Sequence, residues 1–289
     1  MRFSVVLPVP GSASPDQVLD FASTAEELGY EAVYMNSRVA LPVNVESPHP
    51  YTPDGRPPWP PDINWPDTFV LLSFIAARTK RLRFGPAVVP VIVTHPLALA
   101  KHCATLDIYS GGRLDLGLGA GWMLEEAHAV ARSADHRWLR LQETIDILRL
   151  AWSSDTFSYE GRCYQIPAVG QHPHPAQGDA LPIWVGGHGE RALEIAARSG
   201  CGLFLWGYWP PEKVADYVRR VRAVRFGTPV ATLISLTADT GHLDQTVAGM
   251  ERAGADVLVL SGRFADLEQR LDAIRRFAAE FLPTSRASC

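Results

Sequence analysis

The sequence predicts an α/β protein folded as a single (β/α)8 TIM barrel, and three observations predict it. Eight short apolar segments rich in β-branched residues alternate with segments of helical period. Strands joined through helices run parallel, and a parallel sheet needs both faces covered. No long linker or low-complexity stretch divides the chain, and its 289 residues suit one domain over 1–289, since such barrels commonly take ~250 residues. A doubly wound open sheet meets the same alternation and is the alternative to be separated from it.

In chain order, RFSVVLP at 2–8 is the first strand. Ser14 caps a helix with Pro15 at its first position, where the missing N–H costs nothing. Val18, Phe21, Ala22, Ala25 and Leu28 then recur at helical spacing until Gly29 stops the helix. EAVYM at 31–35 is the second strand. After it comes a proline-rich loop, 41–66, with Trp59 and Trp65, either a stiff surface crossing or a functional cover for the barrel mouth.

A helix at 67–79 leads to a strand at 81–89, and a helix at 96–109 stops at the turn SGGR, where Gly111, Gly112 and Arg113 lie at the far end of the barrel. The fourth strand is LDLGLGAG, 114–121. A helix at 138–152 precedes an insertion over about 153–181, in which 156–166 reads as a hairpin. Strands at 182–186, 202–206, 229–236 and 256–261 follow, with helices at 191–199, 212–224, 244–253 and 266–281.

A net charge of −4 gives no reason to expect nucleic acid or an anionic membrane as partner. No apolar segment reaches the ~20 residues of a membrane span, and no export signal is visible. Cys103, Cys163, Cys201 and Cys289 lie far apart with no CxxC pairing, so neither a disulfide framework nor a zinc cluster is expected. The expectation is a cytoplasmic protein.

In a barrel the chemistry sits at the carboxyl ends of the strands. The chain's lysines, Lys80, Lys101 and Lys213, fall before a strand or within helices, which argues against imine chemistry. The strand ends offer Asn36-Ser37-Arg38, Ala87-Val88, Gly119 to Trp122, Gly186-Gly187-His188, Trp206-Gly207-Tyr208 and Ser261-Gly262-Arg263. They hold no set of histidines and carboxylates for a metal, and no metal is expected. His172 and His174, in QHPHP, have a spacing that could touch one but read as a solvent-exposed loop. Gly186 and Gly187 stand between a strand and a helix, which suits either a tight turn or an anion on the helix N-terminus. A mouth of glycines, indoles and arginines suits a large flat ligand carrying a phosphate, with reactivity supplied by the cofactor.

The run from TKRLRFGPAVV through TLDIYSGGRLDLGLGAGW resembles the central signature of the luciferase-like flavin and deazaflavin oxidoreductases. AEELGYEAVY, RLQETIDILRLAW, FSYEGRCYQI, PIWVGG and AGADVLVL follow in the family's order and spacing. The resemblance covers nearly the whole chain. It implies a barrel with an insertion after the fourth unit and a cofactor in the mouth, either coenzyme F-420 or FMN. By it Gly186 and Gly187 hold the cofactor phosphate and His188 adds a donor or is a surface residue. Ala87 and Val88 match a strand-three bulge that carries a non-proline cis peptide in many members, ordinary packing being the alternative. Gly119, Ala120, Gly121 and Trp122 lie beside the ring system, and Met123 stands where some relatives place an amide. Arg263 is a competing phosphate anchor.

The chain departs from the family at two places. Where many members carry Asp-His after the second strand, it has Ser37-Arg38, and arginine clamps anions but is a poor proton shuttle. Where the family's sugar-phosphate dehydrogenases use a glutamate, it has Ala120. The resulting expectation is hydride transfer between F-420 and a small organic substrate, with Arg38 orienting that substrate and Trp59, Trp206 and Tyr208 walling it. The alternatives are an FMN-dependent monooxygenase served by a flavin reductase, and a degenerate non-catalytic flavin-binding protein. Dimers are common in the family, so a homodimer is implied.

Overall fold

The computed structural model describes residues 1–11, 13–237 and 242–282. Its main sheet is parallel throughout, with strands β1 (Arg2–Val6), β2 (Ala32–Met35), β3 (Arg83–Pro86), β4 (Val89–Pro90), β5 (Leu116–Gly119), β8 (Ile183–Gly186), β9 (Gly202–Tyr208), β10 (Val230–Ser235) and β11 (Val257–Ser261). Their order is β3-β2-β1-β11-β10-β9-β8-β5-β4. The two edges, β3 and β4, are halves of one stretch interrupted at the Ala87–Val88 peptide, which is cis. Phe84 of β3 also pairs in parallel with Leu114, just before β5: its N–H donates to the Arg113 carbonyl at 3.1 Å and its carbonyl accepts from Asp115 N–H at 2.9 Å. The sheet therefore closes on itself, and the open doubly wound alternative is excluded.

The helices are α1 (Pro15–Glu27), α2 (Thr68–Arg78), α3 (Pro96–Ser110), α4 (Leu124–Ala129), α5 (Arg137–Ser153), α6 (Glu190–Arg198), α7 (Pro211–Val224), α8 (Leu243–Arg252) and α9 (Leu267–Phe281). Ser14 begins α1 with a capping box: its Oγ accepts from Gln17 N–H while its own N–H donates to Gln17 Oε1, a device contributing about 1 kcal/mol. α3 ends on Gly111 in the left-handed region at φ 71°, which glycine reaches without a Cβ clash. Arg113 donates to the carbonyls of Ser110, Leu82 and Ala76 and to Thr79 Oγ1, so the SGGR turn is a structural tie.

Successive strand residues point to opposite faces, and the core divides accordingly. Val5, Val33, Val185, Leu203 and Leu258 pack outward against helix residues such as Phe21, Leu148 and Phe277. Their neighbours Val6, Tyr34, Trp184, Phe204 and Val259 fill the barrel interior. At the amino end of the strands, buried Asp115 accepts from Tyr34 Oη at 3.1 Å and from Arg83 Nε at 3.1 Å. Burial raises the Asp115 pKa, and Arg83 opposes that rise.

Two antiparallel strands, β6 (Thr156–Glu160) and β7 (Gln165–Gly170), form a hairpin between α5 and β8. Phe157, Tyr164 and Ile166 seat it on the outer core. Buried Glu143 of α5 accepts from the N–H groups of Arg162, Cys163 and Tyr164 in its turn.

Candidate functional site

At the carboxyl ends of the strands lies a cavity of about 460 Å³. Ala87, Val88, Gly119, Ala120, Gly121, Trp122, Gly186, Gly187 and His188 all border it, as do Arg38, Trp59, Trp206 and Arg263. Tyr208 and Met123 do not. Tyr208 ends β9 with its side chain exposed, while Met123, just before α4, is buried in the protein. No lysine, aspartate or glutamate is among the lining residues.

The floor is shaped by what two glycines lack. A Cβ on Gly119 would stand 2.6 Å from Val88 Cγ2, and one on Gly186 would stand 2.7 Å from Val88 Cγ1. Both distances are closer than packed carbon atoms allow, so the Val88 side chain occupies space that only glycine on β5 and β8 leaves free.

Beside this floor is a row of hydrogen-bond donors. Gly187, at φ 146°, turns the chain from β8 toward α6, but its own N–H donates to the Phe204 carbonyl at 3.1 Å. The free donors are the next ones. The N–H groups of His188, Gly189, Glu190 and Arg191 have no partner among the described residues. Gly189, the N-cap of α6, makes no side-chain cap, and nothing lies within 4 Å of where its Cβ would be. His188 Nδ1 is buried without a partner, and burial, helped by the Lys213 charge, lowers its pKa. Unpaired N–H groups at a helix start attract an anion. The unpaired N–H groups at this turn thus belong to the four residues after Gly187, not to Gly187 itself.

Arg38, also on the cavity wall, is not a free cation. Its Nη1 donates to Glu126 Oε2 at 2.8 Å, and the two side chains are 10% and 1% exposed. Glu126 Oε1 accepts from Val39 N–H at 2.7 Å and from Ala40 N–H at 3.4 Å. Its neighbour Glu125 accepts from Glu46 N–H, Ser47 N–H and Ser47 Oγ. Two adjacent carboxylates in the first turn of α4 thus hold both ends of the 38–47 segment.

The loop above the mouth brings in His49 and Tyr51, neither of which the sequence reading singled out. The His49 ring centroid lies 4.9 Å from Trp122, 5.3 Å from Trp59 and 5.9 Å from Tyr51. Burial, aided by the Arg38 charge and opposed by Asp54, pushes its pKa down to about 4. Burial pushes the Tyr51 hydroxyl up to about 12. The only hint in the sequence is their place in the 41–66 loop.

His172 and His174 stack at 4.6 Å, with Asp155 Oδ1 3.6 Å from His172 Nε2. Ligand atoms of the three lie within 4.8 Å of one another. Asp155 and His172 are exposed and His174 is half-buried, and none of the three borders the cavity. No helix among the described residues is long and apolar enough to cross a membrane.

A family model described as luciferase-like monooxygenase matches residues 1–245. A protein of Mycobacterium tuberculosis described as uncharacterized is 32% identical over 207 residues, 72% of this chain and 70% of that one. An F-420-dependent glucose-6-phosphate dehydrogenase of Microbacterium testaceum is 29% identical over 201 residues, 68% of this chain and 54% of that one. Among solved structures, a monooxygenase from Streptomyces bottropensis superposes with TM-score 0.74 at 23% identity, covering 98% of this chain and 99% of that one. An F-420-dependent secondary alcohol dehydrogenase in complex with an F-420–acetone adduct gives 0.75 at 16% identity, covering 95% and 97%. At those identities the structural likeness speaks to the fold.

Proposed function

Because the chain belongs to the luciferase-like monooxygenase family and a relative at 29% identity is named as an F-420-dependent dehydrogenase, we propose that it binds coenzyme F-420 in this cavity and catalyses hydride transfer with a small organic substrate. The observation that carries the reading is the row of unpaired N–H groups at His188 to Arg191 beside the glycine-bounded floor. The residues fit such a group: the N–H groups of His188 to Arg191 are unpaired, nothing lies within 4 Å of the Cβ position at Gly189, and the lining carries no acid to repel an anion. The first turn of α6 would hold the phosphate, with Arg137, Arg263 and Lys213 adding positive charge to that region. Val88 and its flanking glycines would support the ring system. When bound, the deazaflavin supplies or accepts the hydride.

The protein's own part is to bind, orient and exclude water. Trp59, Trp122 and Trp206 wall the substrate space with apolar surface, and Arg38, fixed by Glu126, orients the substrate. We place the enzyme in the cytoplasm as a single barrel domain that forms a homodimer.

Titration of the protein with F-420 and with FMN, followed by fluorescence, tests the cofactor. F-420 is expected to bind at least about tenfold tighter, a difference of about 1.4 kcal/mol. The reverse order would favour the FMN-dependent monooxygenase with its reductase partner. Gly189→Asp isolates the anion site, because its carboxylate would cap α6 and at the same time repel a phosphate. It is expected to keep or slightly raise Tm while weakening cofactor binding on the order of 10- to 100-fold. Unchanged affinity would remove α6 from the site.

A further inference from the structure

The cavity wall contains a histidine ring whose contacts fix both its plane and its tautomer. The titratable groups bordering the cavity are Arg38, His49, Tyr51, Arg137, His188 and Arg263. The arginines stay protonated, and His188 stands at the start of α6. His49 is held differently. Tyr51 N–H points at its Nδ1 from 3.3 Å, and a backbone N–H can only donate, so Nδ1 is the acceptor and the ring proton belongs to Nε2. The Thr52 hydroxyl lies 3.2 Å from Nδ1 and 2.8 Å from the Arg56 carbonyl, and with its proton turned to Nδ1 it is a second donor to that nitrogen. His49 Nε2 has no hydrogen-bond partner among the described residues, and it is not among the sealed orphan atoms. Perpendicular contacts with Trp122, Trp59 and Tyr51 fix the plane of the ring.

Arg38 lies on the same side, its guanidinium carbon 5.2 Å from the centre of the Trp122 ring. Its Nη1 is committed to Glu126, so the guanidinium at this part of the cavity already has its counter-charge. Such a place suits the oxygen of a neutral carbonyl better than a carboxylate, which would need an uncompensated cation.

We propose that His49 Nε2–H, beside the Arg38–Glu126 pair, is the docking and polarising donor for a neutral carbonyl oxygen, so that the substrate class is an aldehyde, ketone or enone with an apolar body between Trp59 and Trp122. This rests on the hydride-transfer reading above. In the reductive direction the substrate carbon gains hydride from the reduced cofactor, which loses two electrons. The C=O π pair moves to oxygen, where Nε2–H meets the developing charge, and a proton from water completes the alcohol. His49 keeps its own proton, because a neutral imidazole is a donor here and not a shuttle.

The test uses the full-length protein with 15N-labelled histidine, first without cofactor. His49, assigned by its absence in His49→Phe, is expected as the Nε2–H tautomer at neutral pH. Cyclohex-2-enone and benzaldehyde at millimolar concentration are expected to shift its Nε2–H signal, and benzoate is expected to leave it in place. A Nδ1–H tautomer, no shift with either carbonyl, or a larger shift with benzoate overturns the proposal. With reduced F-420 bound, His49→Phe is expected to lower single-turnover reduction of the more reactive carbonyl on the order of 100-fold. His49→Gln, which restores an N–H near Nε2, is expected to recover to within about tenfold of the parent, with F-420 affinity equal in all three proteins. Equal rates in His49→Phe and the parent overturn it. If F-420 fails to bind at all, the hydride-transfer reading falls while the tautomer and carbonyl shifts still decide the donor site.

Discussion

Alanine at Gly85 or Gly117 is expected to leave little soluble, folded protein. A Cβ on Gly85 would stand 1.9 Å from the Asp115 carbonyl oxygen, and one on Gly117 would stand 2.2 Å from that of Pro86. Both obstacles are backbone atoms, so no side-chain rotation relieves them. β3 and β5 would have to part where the sheet closes, giving up the Phe84 and Asp115 hydrogen bonds along with the fit of the interior. Overpacking against movable side chains costs about 1–3 kcal/mol, and here the cost is expected to exceed about 3 kcal/mol. Each variant should lose more than about 10 °C in Tm or appear only in the insoluble fraction. Gly189→Ala is the control: nothing lies within 4 Å of its Cβ and its φ is −83°, so a change under about 0.5 kcal/mol is expected. Parent-like melting of Gly117→Ala would show that the closure yields to a methyl group.

Removal of Glu126 is expected to have the next largest effect. In Glu126→Ala the nearly buried guanidinium of Arg38 loses its counter-charge, its Nε being already without a partner. The N–H groups of Val39 and Ala40 lose their acceptor in the same step. Breaking one side of a buried pair costs about 3–5 kcal/mol, whereas replacing both partners with apolar residues of similar volume is often near neutral. Thermal melting should therefore show a fall of about 10 °C for Glu126→Ala and substantial recovery in Arg38→Met/Glu126→Met. If the double variant melts as low as the single one, the loop N–H groups and not the charge pair set the stability.

The barrel was legible because its signals are local. Apolar strand runs, Ser14 with Pro15, and Gly29 and Gly111 after their helices each act within a few residues. The structure departs from the reading where a neighbour decides. The third strand, a single apolar run over 81–89 in the residues, divides at Ala87–Val88 into β3 and β4 with a cis peptide, as the family resemblance and not the local pattern implied, fitting around a Val88 side chain that enters space left by Gly119 and Gly186. α4 has six residues, too few for a helical repeat to show. The expected fourth strand of 114–121 pairs as β5 only from Leu116 to Gly119, and β9 runs on to Tyr208.

The cavity was legible through glycines and indoles at strand ends, because a flat, close-lying surface leaves a compositional trace. The polar groups were harder. Arg38 looked like an available cation, since its partner is 88 positions away on a helix the sequence does not announce. His49 sits in a proline-rich loop whose path has no periodicity, and its orientation depends on Trp59, Trp122 and the Tyr51 amide together. The glycine pair pointed to an anion on the helix N-terminus without showing that the Gly187 N–H itself is taken by the Phe204 carbonyl.

The acid-free wall carries a consequence for the enzyme's response to its medium. His49 and His188 are both pushed below the ordinary histidine value of 6.5, Tyr51 is pushed up to about 12, and the arginines do not titrate. No side chain bordering the cavity is therefore expected to gain or lose a proton from about pH 7 to about pH 10. Plotted against pH, kcat/KM should run level across that interval apart from ionisations of the cofactor and substrate, and an inflection traceable to His49 would contradict the burial that surrounds it.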